Sequence, residues 1–114
     1  MDSGISLIVT IVAKGWGDTV LDASIDAGAN GGTILLGRGR GIHERQKILG
    51  IDIEPEKEIV FTLTYKNNDE EILKKITQEC KLDKPGKGIA FIIPVEKVAG
   101  ASHILGESKG GKDG

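Results

Sequence analysis

The chain has 114 residues, enough for one domain with a real core. Its 15 basic and 17 acidic residues leave a net charge of −2, which favours neither nucleic acid nor an anionic membrane. Four aromatics (Trp16, Phe61, Tyr65, Phe91) are too few for a base-stacking surface, and a single cysteine, Cys80, excludes an internal disulfide or a Cys-based zinc cluster. No basic N-terminal segment leads into a long apolar run and no stretch approaches a membrane span. The expectation is a cytoplasmic protein that is not membrane-embedded and has no nucleic-acid partner.

The first element is Ser6 to Val12, a continuous β-branched run that reads as a buried central strand. Lys14-Gly15-Trp16-Gly17 breaks it. Asp18 is placed to cap a helix running to about Ala27, with Leu21, Ile25 and Gly28 on one face, Val20 beside them, and Gly28 as C-cap. Gly32 to Gly37 reads as a second strand. Arg38 to Lys57 has no clean period and reads as a long polar loop, with strand-like arms at its ends. Glu58 to Tyr65 is a third strand, with Ile59, Phe61, Leu63 and Tyr65 on one side and Val60, Thr62 and Thr64 on the other.

Asn68 with Glu71 is a capping-box pattern for a second helix reaching Cys80, whose apolar stripe is Ile72, Leu73, Ile76 and Cys80. Lys81 to Gly88 is a second polar loop. Ile89 to Val95 is a fourth strand, and Pro94 puts it near a sheet edge. Glu96 to Ala99 is a candidate helical turn, and His103 to Leu105 a last apolar patch. Residues 1–105 form the expected domain and the glycine-rich 106–114 a flexible tail.

The order βαββαβ predicts an α+β, ferredoxin-like fold: a four-stranded antiparallel sheet with both helices on one face and a long loop between strands 2 and 3. The strand–helix return calls for a parallel partner to strand 1, which we assign to the Glu58–Tyr65 strand. Apolar residues on both sides of the strands predict burial on both faces, and oligomerisation covers the face without helices. A loop of this length joining two strands marks the working part of the molecule. It carries Ile48, Leu49, Ile51 and Ile53, which need burial in an ordered loop or against a partner.

Candidate chemistry is sparse. Gly86-Lys87-Gly88 can form a backbone anion nest or a plain turn. Arg38, Arg40 and Arg45 can bind phosphate or simply solvate the loop, whose start is hinged at Gly39 and Gly41. His43 beside Glu44, with the distant His103, is a weak metal signal. Cys80 reads as a structural thiol and Asp69-Glu70-Glu71 as acids favoured in a first helical turn. There is no nucleophile–base pair and no cofactor fingerprint, so an enzyme is not expected.

Over residues 5–105 the chain resembles the nitrogen-regulatory P-II signalling family. The resemblance rests on the element order, on Ala27 to Ile34 (AGANGGTI), on Gly39-x-Gly41, on Pro85 to Phe91 (PGKGIAF) and on Ile93 to Val98 (IPVEKV). It implies a homotrimer that binds an adenine nucleotide (ATP, ADP or AMP) between subunits, with Thr33, Gly39, Gly41, Gly86, Lys87 and Gly88 as contacts. It also implies that the 38–57 loop engages a target protein, an enzyme or a transporter, through Arg40, Ile42, His43, Glu44, Arg45, Gln46 and Lys47. The chain departs from the family pattern in several places, among them Leu82-Asp83 at the start of the phosphate loop and His43 in place of a glutamine at the base of the long loop. Ile89 stands at the phosphate-loop lysine position, and Ala101-Ser102-His103 replaces an Arg-x-Arg. The loop has no tyrosine to be uridylylated, Tyr65 being the chain's one tyrosine. The alternative reading is a trimeric metal-ion-binding protein of the same fold, of the copper-tolerance type.

Overall fold

The computed structural model describes residues 3–40, 46–48 and 51–100, with backbone alone at 46–48 and 51–53. The elements in chain order are β1 (Ile5–Ala13), α1 (Gly17–Asp26), β2 (Thr33–Arg38), β3 (Gln46–Ile48), β4 (Ile51–Ile53), β5 (Glu56–Tyr65), a 3₁₀ turn (Lys66–Asn68), α2 (Asp69–Cys80) and β6 (Gly88–Val95). Strand-like arms are expected at the ends of the long loop; the short β3–β4 antiparallel pair instead lies in its middle, as a two-stranded sheet of its own.

The main sheet has the order β2-β5-β1-β6 and every neighbouring pair is antiparallel. This is the ferredoxin-like arrangement expected, with one correction. β1 pairs antiparallel with β5, so the crossover through α1 delivers the chain to β2, which runs parallel to β1 one strand away. The strand carrying Glu58–Tyr65 fills the gap between them. β6 is an edge strand, which accommodates Pro94.

Alternation divides each strand cleanly. Ile8, Val12, Val60 and Thr62 face the helices and are buried against Val20, Ala23, Ile72, Ile76 and Cys80. The α2 stripe is as expected. On α1 the core residues are Val20, Ala23 and Ser24, while Ile25 is 48% exposed. Ser6, buried on β1, donates to the Asp69 carboxylate at 2.7 Å and fastens the start of α2 to the sheet.

Both expected side-chain caps are replaced by tertiary contacts. Trp16, not Asp18, occupies the cap position of α1, and the Gly17 N–H donates to Glu58 Oε1 on β5 at 2.7 Å. That carboxylate supplies a negative charge at the positive end of the helix. Asn68 makes no side-chain cap to α2. Its Nδ2 donates to the Ala27 carbonyl instead, tying the end of α1 to the start of α2. Gly28 does follow the last residues of α1, its N–H donating to Ile25. The stretch 96–100 forms bends rather than the expected helical turn.

Candidate functional site

The sheet face away from the helices is apolar and uncovered in a single chain. The register aligns its side chains in rows: Leu35, Ile59, Ile11 and Ile89; Thr33, Phe61, Val9 and Phe91; Leu63, Leu7 and Ile93. Phe61, Phe91, Ile93, Leu35 and Ile89 are all exposed, Ile89 at 57%. Burial on both faces, expected from the sequence, thus holds for the helix side alone within one chain.

A cavity of about 350 Å³ opens at one end of this face. Its floor is the row Ile11, Ile59, Ile89, and its rim is Arg38, Gly39, Arg40, Lys57 and Gly88. β2 delivers the first three rim residues as it leaves the sheet toward the long loop, and β6 delivers Gly88 as it enters. Lys57 arrives because β5 begins at Glu56, two residues before the expected start. The ladder is extended there by bonds from the Lys14 N–H to the Glu56 carbonyl and from the Gly39 N–H to the Pro55 carbonyl. Lys57 then lies opposite Ala13 and Gly37, on the open face and largely buried. The lining is predominantly apolar, with Arg38, Arg40 and Lys57 among its residues, and suits an apolar or planar body that carries an anionic group.

A second cavity of about 500 Å³ is lined by Leu7, Asn30, Gly31, Gly32, Thr33, Phe61 and Leu63. Thr33 and Gly39 stand at opposite ends of β2, six residues or about 20 Å of extended chain apart. Gly39 and Gly88, distant in sequence, are therefore brought together, while Thr33 lines separate walls. Gly86 and Lys87 lie in the loop just before Gly88. The Lys87 ammonium sits 5.9 Å from the centre of the Trp16 ring.

The base of the long loop carries an exposed ion pair, Lys14 to Glu56 at 3.0 Å, and that carboxylate holds the Lys14 pKa above its ordinary value. Of the loop residues assigned to a partner, Arg40 is in the cavity rim, and Gln46 and Lys47 are in β3. Ile42, His43, Glu44 and Arg45 lie outside the described residues, as do Gly41, His103 and the 106–114 tail. Among the described residues no cluster of three His, Cys, Asp or Glu side chains could hold a metal, and no helix is long and apolar enough to cross a membrane.

Sequence reasoning did not single out Lys57, Ile11, Ile59 or Trp16. The signal for Lys57 was present in the alternation Lys57, Ile59, Phe61, Leu63, which continues the open-face pattern one step into the supposed loop.

The strand order, the two helices on one face and the long β2–β5 connection together define an α+β domain of ferredoxin-like fold, with a cation-rimmed cavity at the root of its loop. The profile of the nitrogen regulatory protein P-II family matches residues 5–102, and the chain belongs to that family. Among solved structures, the B. subtilis GlnK–ATP complex superposes with a TM-score of 0.64 at 14% identity, covering 84% of this chain and 85% of that one. At that identity the likeness bears on the fold. No curated protein matches the sequence. The chain is a P-II-like regulatory protein.

Proposed function

We propose that the protein is a trimeric signalling module that binds an adenine nucleotide between subunits and contacts a target protein through the 38–57 loop. The observation that supports this reading is the cavity at the loop's root, lined by Arg38, Gly39, Arg40, Lys57 and Gly88 together with Ile11, Ile59 and Ile89. Cationic side chains among its lining residues suit phosphate oxygens. Thr33 stands too far away to share a small ligand with Gly39 inside one chain. A ligand that touches both must lie across two copies, and the apolar face supplies the surface on which copies would meet. That a solved neighbour of this fold is an ATP complex supports the choice of nucleotide. With Arg38 and Arg40 at both the cavity and the loop's first residues, ligand contact is transmitted directly to the arm.

The test is calorimetric titration with ATP, ADP and AMP, together with light scattering. The expected result is a trimer that binds at least one of them with one site per protomer, weakened by Arg38→Ala and by Lys57→Ala. A monomer that gives no heat with any of the three refutes the reading.

A further inference from the structure

Asn30 and Gly31 lie on the connection from α1 to β2, and the chain is fixed on either side of them. Ala29 is buried, and its N–H donates to the Ser24 carbonyl at 2.9 Å. Gly32 lies so close to β5 that an added Cβ would run into the Phe61 carbonyl oxygen. Between these points Asn30 is exposed, and Gly31 sits at φ +146°, where an added Cβ would meet nothing within 4 Å. Glycine tolerates that backbone and leaves its own nitrogen unshielded. Among the described residues no hydrogen bond joins the Asn30 side chain or the Gly31 N–H to another group.

The other asparagines, Asn67 and Asn68, are placed differently, in the 3₁₀ turn ahead of α2. The Asn68 amide donates to the Ala27 carbonyl, and the nitrogen that follows Asn67 belongs to a residue with a side chain. At Asn30 an unbonded amide is followed by a nitrogen that nothing covers. Such a nitrogen, once it has given its proton to hydroxide, is a nucleophile for the neighbouring side-chain carbonyl carbon. A bond forms from Gly31 N to Asn30 Cγ, the Cγ–Nδ2 bond breaks, and the amide nitrogen takes a proton from water and leaves as ammonia. Water then adds to either carbonyl of the cyclic imide and opens it. The product is aspartate or isoaspartate at position 30, and nothing is oxidised or reduced.

That change would alter the larger cavity. Asn30 and Gly31 line it together with Leu7, Thr33, Phe61 and Leu63, and no ionisable side chain is in its lining. A carboxylate at position 30 is a new negative charge beside an apolar wall, with no cation in the lining to offset it. Isoaspartate also lengthens the backbone by a methylene just before Gly32, whose fit against Phe61 leaves no room. We propose that Asn30 is a self-modifying site: attack by the Gly31 nitrogen converts its amide to a carboxylate, so that the neutral cavity beside β2 turns anionic as the protein ages. The inference goes beyond the signalling role and does not depend on which ligand the cavity takes.

The experiment ages the purified full chain in mildly acid and mildly alkaline buffer and follows it by ion exchange and by mass spectrometry of its peptides. An acidic form should accumulate, its peptide containing position 30 should be heavier by about 1 Da, and enzymatic methylation of isoaspartate should label the same peptide. The rate should rise about tenfold per pH unit, because the attacking nitrogen must first be deprotonated. Asn67 and Asn68 should keep their amides over that time, and Asn30→Gln should give no acidic form. The charge in the cavity is read with the anionic apolar dye anilinonaphthalene sulfonate, which Asn30→Asp should bind about two- to tenfold more weakly than Asn30→Gln, with the difference shrinking in salt. An Asn30 that keeps its amide, or one that loses it no faster than Asn67, overturns the inference. Modification at Asn30 with equal dye affinity in the two variants overturns the charged cavity. If Asn30→Gln does not fold, the peptide masses of wild type and the dye affinities of its separated neutral and acidic forms still decide.

Discussion

Replacing Phe91 with alanine tests whether copies of the chain meet on the open sheet face. Phe91 and Phe61 flank Val9 in one register row, and in a single chain their rings stay 40% and 39% exposed. A phenylalanine presents about 200 Å² when free, so roughly 80 Å² of Phe91 remains to be covered by a neighbour. At about 25 cal/mol per Å² that burial contributes ~2 kcal/mol per protomer and ~6 kcal/mol per trimer. The trimer association constant should fall by about four decades. Because the concentration of half-assembly varies as the inverse square root of that constant, it should rise about a hundredfold. Sedimentation over a dilution series from micromolar to nanomolar protomer measures it directly. The monomer itself should stay folded by circular dichroism, because Phe91 points away from the helices and the core residues Ile8, Val60, Ile72 and Ile76 lie on the other side of the sheet. A wild-type protein that is monomeric throughout, or a variant that assembles at the wild-type concentration, refutes the reasoning.

Ser6→Ala removes the donor to the buried Asp69 carboxylate and should destabilise the fold by about 1.5–3 kcal/mol in urea denaturation; a change within about 0.5 kcal/mol would mean the bond is not formed in solution. The buried Thr10 and Thr62 hydroxyls have no hydrogen-bond partner among the described residues. Thr62→Val should therefore stabilise by about 0.5–2 kcal/mol, and a lowered melting temperature would contradict that. Burial, with Glu79 adding to it, pushes the Cys80 thiol above its ordinary 9.0. The unfolded chain then loses its proton first and binds fewer protons than the native one, so stability present below about pH 8 declines as pH rises through the unfolded value, by at most ~1.4 kcal/mol per unit. The stability gap between wild type and Cys80→Ala should narrow from about pH 8 to about pH 10; a constant gap would count against the shift.

What the sequence made legible follows from how local each cause is. Short apolar runs rich in β-branched residues announced all four strands of the main sheet, and the alternation Ile59, Phe61, Leu63, Tyr65 announced an apolar second face, because both depend only on a residue and its near neighbours. The glycine pairs at 39–41 and 86–88 were visible as punctuation, but the meeting of Gly39 and Gly88 at one cavity depends on the strand order, which the sequence reading misassigned by making Glu58–Tyr65 the parallel partner of strand 1. Lys57 stayed hidden because its position depends on where β5 starts. That start is fixed by Lys14 and Gly39 bonding to the Glu56 and Pro55 carbonyls, partners far away in sequence.

The two misread caps fail for the same reason, and their failure says something about the site. Asp18 and the Asn68–Glu71 pair have the right spacing for local caps, yet Glu58 serves the α1 terminus and Asn68 serves Ala27. Asn68, which local pattern assigns to its own helix, ties that helix to the end of α1 instead. Around the β1–α1 turn these contacts converge. Lys14 reaches Glu56 at the root of the long loop, Gly17 reaches Glu58 on the same strand, and Trp16 receives Lys87 from the glycine loop. The ion pair and the cation–π contact are exposed and individually weak, whereas the Gly17–Glu58 bond is part-buried and charge-assisted. The helix terminus is thus held more firmly than the two outer contacts around it.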